Sequence, residues 1–138
     1  MNKVVVRKLD GEVLKGFTGD FSSTRTEFLL TTKEDSLSIN QNVYVNELKA
    51  IYFVKSFEGD FLRNKLDFIE TGLPPKKGYG QRIIVSFADG EEFFGRVEAL
   101  HTSKDHIGFF IYPLDTTSNI IRAFFLNKAI VGIQHIDS

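Results

Sequence analysis

Five side chains in the second half of the chain have types and spacing suited to holding a ligand: His101, Lys104, Asp115, Asn119 and Arg122. His101 and Lys104 share a stretch with Asp105 and His106, so imidazole, ammonium and carboxylate groups fall within one loop. Asp115 and Asn119 bound a run, Asp115-Thr116-Thr117-Ser118-Asn119, in which most side chains can hydrogen-bond nearby backbone. That run therefore carries two readings, a ligand site and a self-stabilised turn. The set favours binding over bond-making. His101 and His106 could meet, but two imidazoles without a carboxylate cluster make a poor metal site. Neither a metal nor a cofactor is expected.

The signatures of enzymes are missing from the sequence. There is no Gly-x-Ser-x-Gly, no phosphate-binding loop, no dinucleotide fingerprint and no His-Glu-x-x-His. Carboxylates are scattered, and no pair can be assigned to acid–base work. With no cysteine, disulfides, thiolate metal ligands and thiol nucleophiles are excluded together. A non-enzyme in a reducing, cytoplasmic setting is expected. No stretch approaches the ~20 apolar residues of a membrane helix, so no membrane association is expected.

Charge argues against a polyanion as partner. Residues 1–57 carry 8 basic and 7 acidic side chains, residues 58–80 carry 4 and 4, and residues 81–138 carry 5 and 7. These are net charges of +1, 0 and −2, without the basic excess of a phosphate-backbone binder.

The elements that would position these side chains emerge from an internal repeat. Val4-Val5-Val6, Asp10-Gly11 and Gly16 recur as Ile83-Ile84-Val85, Asp89-Gly90 and Gly95, at a constant offset of 79 (89 less 10). Further on, Phe28-Leu29-Leu30 faces Phe109-Phe110-Ile111, and Val43-Tyr44-Val45-Asn46 faces Phe124-Phe125-Leu126-Asn127. Asp-Gly between two β-rich runs predicts a hairpin with a type I′ turn. A glycine within a strand pattern, as at Gly16 and Gly95, marks a bend or a close backbone approach. The spacing predicts strands over 3–9, 12–21, 27–32, 42–45 and 49–57, then 82–88, 91–100, 108–112, 122–126 and 129–136. The fold class expected is all-β: two tandem five-stranded small barrels related by internal duplication and packed together. The domains are residues 1–57 and 81–138, joined by a connector, 58–80. Phe61, Leu62, Leu66 and Ile69 in that connector have roughly helical spacing, whereas the Gly- and Pro-rich 72–80 reads as extended.

Phe93-Phe94, Phe109-Phe110 and Phe124-Phe125 place one ring on each face of a strand. One ring of each pair then needs a cover from the other barrel, the connector or a partner chain.

The apolar run, Asp-Gly and trailing Gly of 4–21 and 83–100, with 43–54 as a closing motif, resemble Sm-like domains and, more broadly, SH3-like barrels. That resemblance implies RNA binding through loops that here read Phe21-Ser22-Ser23-Thr24-Arg25-Thr26 and Asn46-Glu47-Leu48-Lys49, which depart from the family's pattern. A second likeness rests on Phe53-Val54-Lys55-x-Phe57-Glu58-Gly59-Asp60, Tyr79-Gly80, Phe87-x-Asp89-Gly90-Glu91, 108–115 and Ser118-Asn119-x-x-Arg122-x-Phe124-x-Leu126. It resembles an uncharacterised bacterial domain family sometimes found with PilZ-type signalling modules. PilZ association implies cyclic-dinucleotide binding, but no Arg-x-x-x-Arg exists in the chain, and Arg25 stands where the second PilZ motif needs glycine.

The function expected from these readings is a non-catalytic bacterial interaction or regulatory module acting through protein–protein contacts. The partner is an unidentified protein or a second copy of the chain. RNA or nucleotide binding is the alternative.

Overall fold

Strands form where apolar and β-branched residues alternate, and they stop at the turn residues. In the computed structural model, which describes residues 1–34, 36–58, 80–100, 105–115 and 117–137, there are ten strands and no α-helix among the described residues. The first half supplies β1 (Asn2–Lys8), β2 (Val13–Thr18), β3 (Glu27–Glu34), β4 (Leu37–Tyr44) and β5 (Leu48–Val54). The second supplies β6 (Gln81–Phe87), β7 (Glu92–Val97), β8 (Gly108–Pro113), β9 (Ile120–Leu126) and β10 (Ile130–His135). Short 3-10 turns, Val45–Glu47 and Asn127–Ala129, link the last two strands of each half. The connector residues 59–79, with the helical spacing read from them, lie outside the described residues.

All-β is what the fold is. Two closed five-stranded barrels are not. One open antiparallel sheet of ten strands runs β10-β6-β7-β8-β9-β5-β1-β2-β3-β4. No ladder joins β4 to β5, or β9 to β10, as closure of separate barrels would require. Instead β5 crosses to the other half and pairs with β9, Ala50 opposite Phe125 and Ile51 opposite Phe124.

Each half repeats one ladder plan. Val4 faces Gly16 as Ile83 faces Gly95, and both closing strands meet their first strand through an irregularity at the same point. The ladders sharpen the sequence correspondence by one residue. Phe28 faces Val43 as Phe109 faces Phe125, so Val43 stands with Phe125 and not with Phe124. One residue matters because it exchanges the two faces of a strand.

The turns differ in type from the expectation. Gly90 has φ +92° and Gly11 φ +96°, but neither preceding Asp has positive φ. Gly90 N–H donates to Phe87 O, and Phe87 N–H to Glu91 O; Gly11 and Lys8 repeat the pattern. This is a three-residue loop ending in a left-handed glycine, the bulged alternative to type I′. Gly95 has a different job: a Cβ there would lie 2.4 Å from Ile111 Cγ1, so β7 and β8 approach too closely for a side chain.

The core lies on both faces of the sheet. Val5, Ala50, Tyr52, Ala123 and Phe125 enter one apolar cluster with Ile83, Phe93 and Phe109. Their neighbours Val4, Val6, Ile51, Phe53 and Phe124 enter a second, with Phe28, Leu30 and Leu48. Successive side chains of a strand point to opposite faces, so central strands serve both clusters. All seven residues of β5 are buried. The Phe124-Phe125 pair thus finds a cover for each ring, one in each cluster, as the paired rings required.

Candidate functional site

Of the predicted ligand residues, Asp115, Asn119 and Arg122 lie within the described residues, and each has structural partners of its own. Asp115 Oδ1 accepts the Thr117 N–H at 2.9 Å and the Thr117 hydroxyl at 2.6 Å, a turn holding itself. Asn119 clamps the chain leaving β5. Its Oδ1 accepts the Ser56 N–H (3.0 Å), and its Nδ2 donates to Ser56 O (2.8 Å). The Asn119 amide and the Oδ1 of Asp115 are therefore occupied structurally. His101 and Lys104 lie outside the described residues. Among the described residues no group of three or more His, Asp or Glu is placed to hold a metal.

Arg122 is different. It lies opposite Phe53 across the β5–β9 ladder, and its guanidinium stands 4.5 Å from the ring centres of both Phe53 and Phe110. Stacking on ring faces holds the cation while leaving its N–H edge available. No hydrogen bond or ion pair to Arg122 occurs among the described residues, so that edge can meet an acceptor.

A cluster that the sequence reading missed joins the halves. Lys49, 4% exposed, places its ammonium 2.6 Å from Asp89 Oδ2 and 2.5 Å from Glu91 Oε2, and 4.5 Å from the centre of the Phe87 ring. Arg7 donates to the same Glu91 oxygen. Burial alone would raise the Glu91 carboxyl's pKa, but hydrogen bonds from Arg7 and Lys49 outweigh it and hold the pKa below the ordinary value. Asp89 is held low in the same way, its desolvation outweighed chiefly by Lys49. Arg7 is kept above its ordinary value, its desolvation outweighed by Glu91. Burial pushes the Tyr52 hydroxyl far up, so it stays protonated. The cations come from the first half and the carboxylates from a turn of the second. The sequence shows Asp89 only as a turn-former; its other partner lies 40 residues away, and no local pattern signals it.

The two outermost strands complete the surface. Among the described residues nothing pairs with the outer side of β4 or of β10. Neither strand contains Lys, Arg, Asp, Glu or Pro. Leu37 (69% exposed) and Ile39 (46%) stand out on β4, and Val131 (69%) on β10. A family model matches residues 1–137. The chain belongs to the family of unknown function DUF6982. No curated protein and no solved structure matches it.

One concavity of this DUF6982 chain lies where the halves meet, a cleft of about 530 Å³. Glu27, Tyr44 and Val45 line it from one half, and His106, Ile107 and Lys128 from the other. Its lining is mixed, and it brings His106 but none of Asp115, Asn119 or Arg122 to the wall. No helix among the described residues is long and apolar enough to cross a membrane.

Proposed function

We propose that this chain is a non-catalytic interaction module of the bacterial cytoplasm, built from two duplicated five-stranded halves of one open sheet and acting through protein–protein contacts in a regulatory or scaffolding role. The observation that carries this reading is the pair of open, uncharged edge strands. An unpaired edge offers a row of N–H and C=O groups to an incoming strand, and proteins usually blunt such edges with charge, proline or a bulge. β4 has eight residues and none of the charge or proline. Strand addition gives affinity through main-chain hydrogen bonds and specificity through alternate side chains. The polar groups of the seam support the same reading, because they are spent on each other and hold a rigid platform.

RNA or nucleotide binding is the second reading, and Arg122 favours it. A guanidinium stacked on two rings, with an open donor edge, suits a phosphate or a base edge. The two readings separate in a capture experiment on cell extract in which RNA is recovered alongside protein. Protein captured by the wild type and lost with Ile39→Lys supports the interaction module. RNA captured in a salt-sensitive way, and lost with Arg122→Ala, supports the second reading. Recovery of neither overturns both.

A further inference from the structure

The seam between the halves is head-to-tail. The fourth strand of the second half, β9, pairs with the fifth strand of the first, β5. The same join leaves over the fourth strand of the first half, β4, and the fifth strand of the second, β10. These are the two strands at the ends of the sheet. The free edges are therefore not a random pair. Each is the ladder counterpart of one side of a join the molecule already makes.

We infer that β4 of one molecule pairs antiparallel with β10 of a second copy, in the register that β9 makes with β5. This inference rests on the interaction-module reading and names its partner. A head-to-tail join uses two different patches, so it closes as a ring or runs on as a filament.

The register follows from the ladders. Leu48 meets Lys8 as Ile130 meets Phe87, and Phe53 meets Val4 as His135 meets Ile83, which places Gln134 with Tyr52. Glu27 meets Tyr44 as Gly108 meets Leu126, which places Gln41 with Ala123. Tyr52 faces Ala123 across the seam, so Gln134 of one molecule faces Gln41 of the next. Both glutamines are exposed in the single chain.

The same mapping shows what the outer join lacks. Lys49 corresponds to Val131, and Arg7 to Ser86. Asp89 and Glu91 correspond to Asp10 and Glu12. Across the outer join, Val131 and Ser86 of one molecule thus approach two carboxylates of the next and bring no cation to them, while Glu12 is paired with Lys8 of its own molecule at 3.2 Å. The join between copies is accordingly weaker than the seam, and association is reversible and concentration-dependent.

That deficit supplies a test with opposite signs. Mass is measured by light scattering on the purified full chain across a wide concentration range. Wild type is expected to rise above the 15.7 kDa monomer as concentration increases. Val131→Lys restores the missing ammonium and should shift the midpoint to about tenfold lower concentration or further. Val131→Glu should shift it upward. A charge that merely solubilised the edge would move both variants the same way. The chain has no cysteine of its own, so Gln41→Cys with Gln134→Cys tests register directly. Oxidation should link that double variant into ladders, whereas Asn42→Cys with Gln134→Cys, one residue out of register and on the opposite face, should not link. A 15.7 kDa mass at every concentration, a common direction for Val131→Lys and Val131→Glu, or equal cross-linking of both cysteine pairs overturns the inference. If the pure protein stays monomeric while Ile39→Lys still abolishes capture of a protein from extract, self-pairing fails and the interaction module stands.

Discussion

Two junctions built from the same strands have different fates in this molecule. At the seam, β5 and β9 are covered on both faces, and a buried lysine ties the halves together. At the outer edges, the corresponding strands β10 and β4 keep the ladder geometry but have neither the buried aromatic nor the ions. Phe125 at the seam is fully buried and makes edge-on ring contacts with Phe87 (4.8 Å) and Phe93 (5.0 Å), while its outer counterpart is Val43. The difference teaches that strand pairing alone does not make a permanent join in this fold. Permanence needs apolar cover on both faces and a charge set that only one partner satisfies.

The comparison can be broken most severely at Phe125. Phe125→Ala should cost about 3–5 kcal/mol, because the ring is removed from a packed cluster that cannot fully collapse. Val43→Ala, a smaller side chain in a cluster drawn mainly from the first half, should cost less. Chemical denaturation followed by circular dichroism checks both.

Next in size are the matched acids Glu91 and Glu12. Glu91→Ala removes the carboxylate partner of Arg7 and leaves the buried Lys49 with one carboxylate; a loss of about 2–3 kcal/mol is expected, below the figure for a wholly buried pair because Glu91 is partly exposed. Glu12 makes a surface pair with Lys8 at 3.2 Å, and Glu12→Ala should change stability by less than about 0.5 kcal/mol. Equal effects on urea unfolding would contradict the asymmetry between seam and edge.

The seam also sets a pH dependence. Glu91 and Asp89 are held below their ordinary values of 4.5 and 3.8, so the folded chain resists protonating them more than the unfolded chain does. Their stabilisation is complete above that ordinary carboxylate range and is lost as pH falls through it to the lowered folded values. Thermal melting should therefore decline as acid is added below about pH 4.5. The decline should be shallower in Glu91→Gln.

The smallest expected effect concerns Arg122. Arg122→Ala should cost about 0.5–1 kcal/mol through loss of its ring contacts. It should leave self-association unchanged, since Arg122 belongs to the seam and not to the outer edges. A changed midpoint in light scattering would place Arg122 elsewhere in the scheme.

Much of the architecture was legible because strand and turn signals are local. The apolar runs Val4-Val5-Val6 and Ile83-Ile84-Val85 and the Asp-Gly turns located β1, β2, β6 and β7 within a few residues. β4 was the poorest reading, predicted over 42–45 and observed from Leu37. Ser38, Asn40, Gln41 and Asn42 are exposed with Leu37 and Ile39, so this strand buries only Val43, and its apolar alternation breaks at Gln41. The candidate site was less legible. Asp115 and Asn119 carry side chains that suit a ligand, yet Thr117 holds the Oδ1 of Asp115 and Ser56 holds both amide atoms of Asn119.

By itself the sequence determined that the chain is all-β, where most strands lie, where the glycines must turn or let strands approach, and that aromatic pairs would need cover on two faces. Tertiary structure alone decided that β5 crosses to β9 to make one open sheet, and that Lys49 meets Asp89 and Glu91. The reason is physical. Alternation and turn chemistry depend on residues next to each other, and a strand's own pattern is the same whichever neighbour it pairs with. The choice of neighbour is settled only when distant edges, rings and charges compete for the same few ångströms.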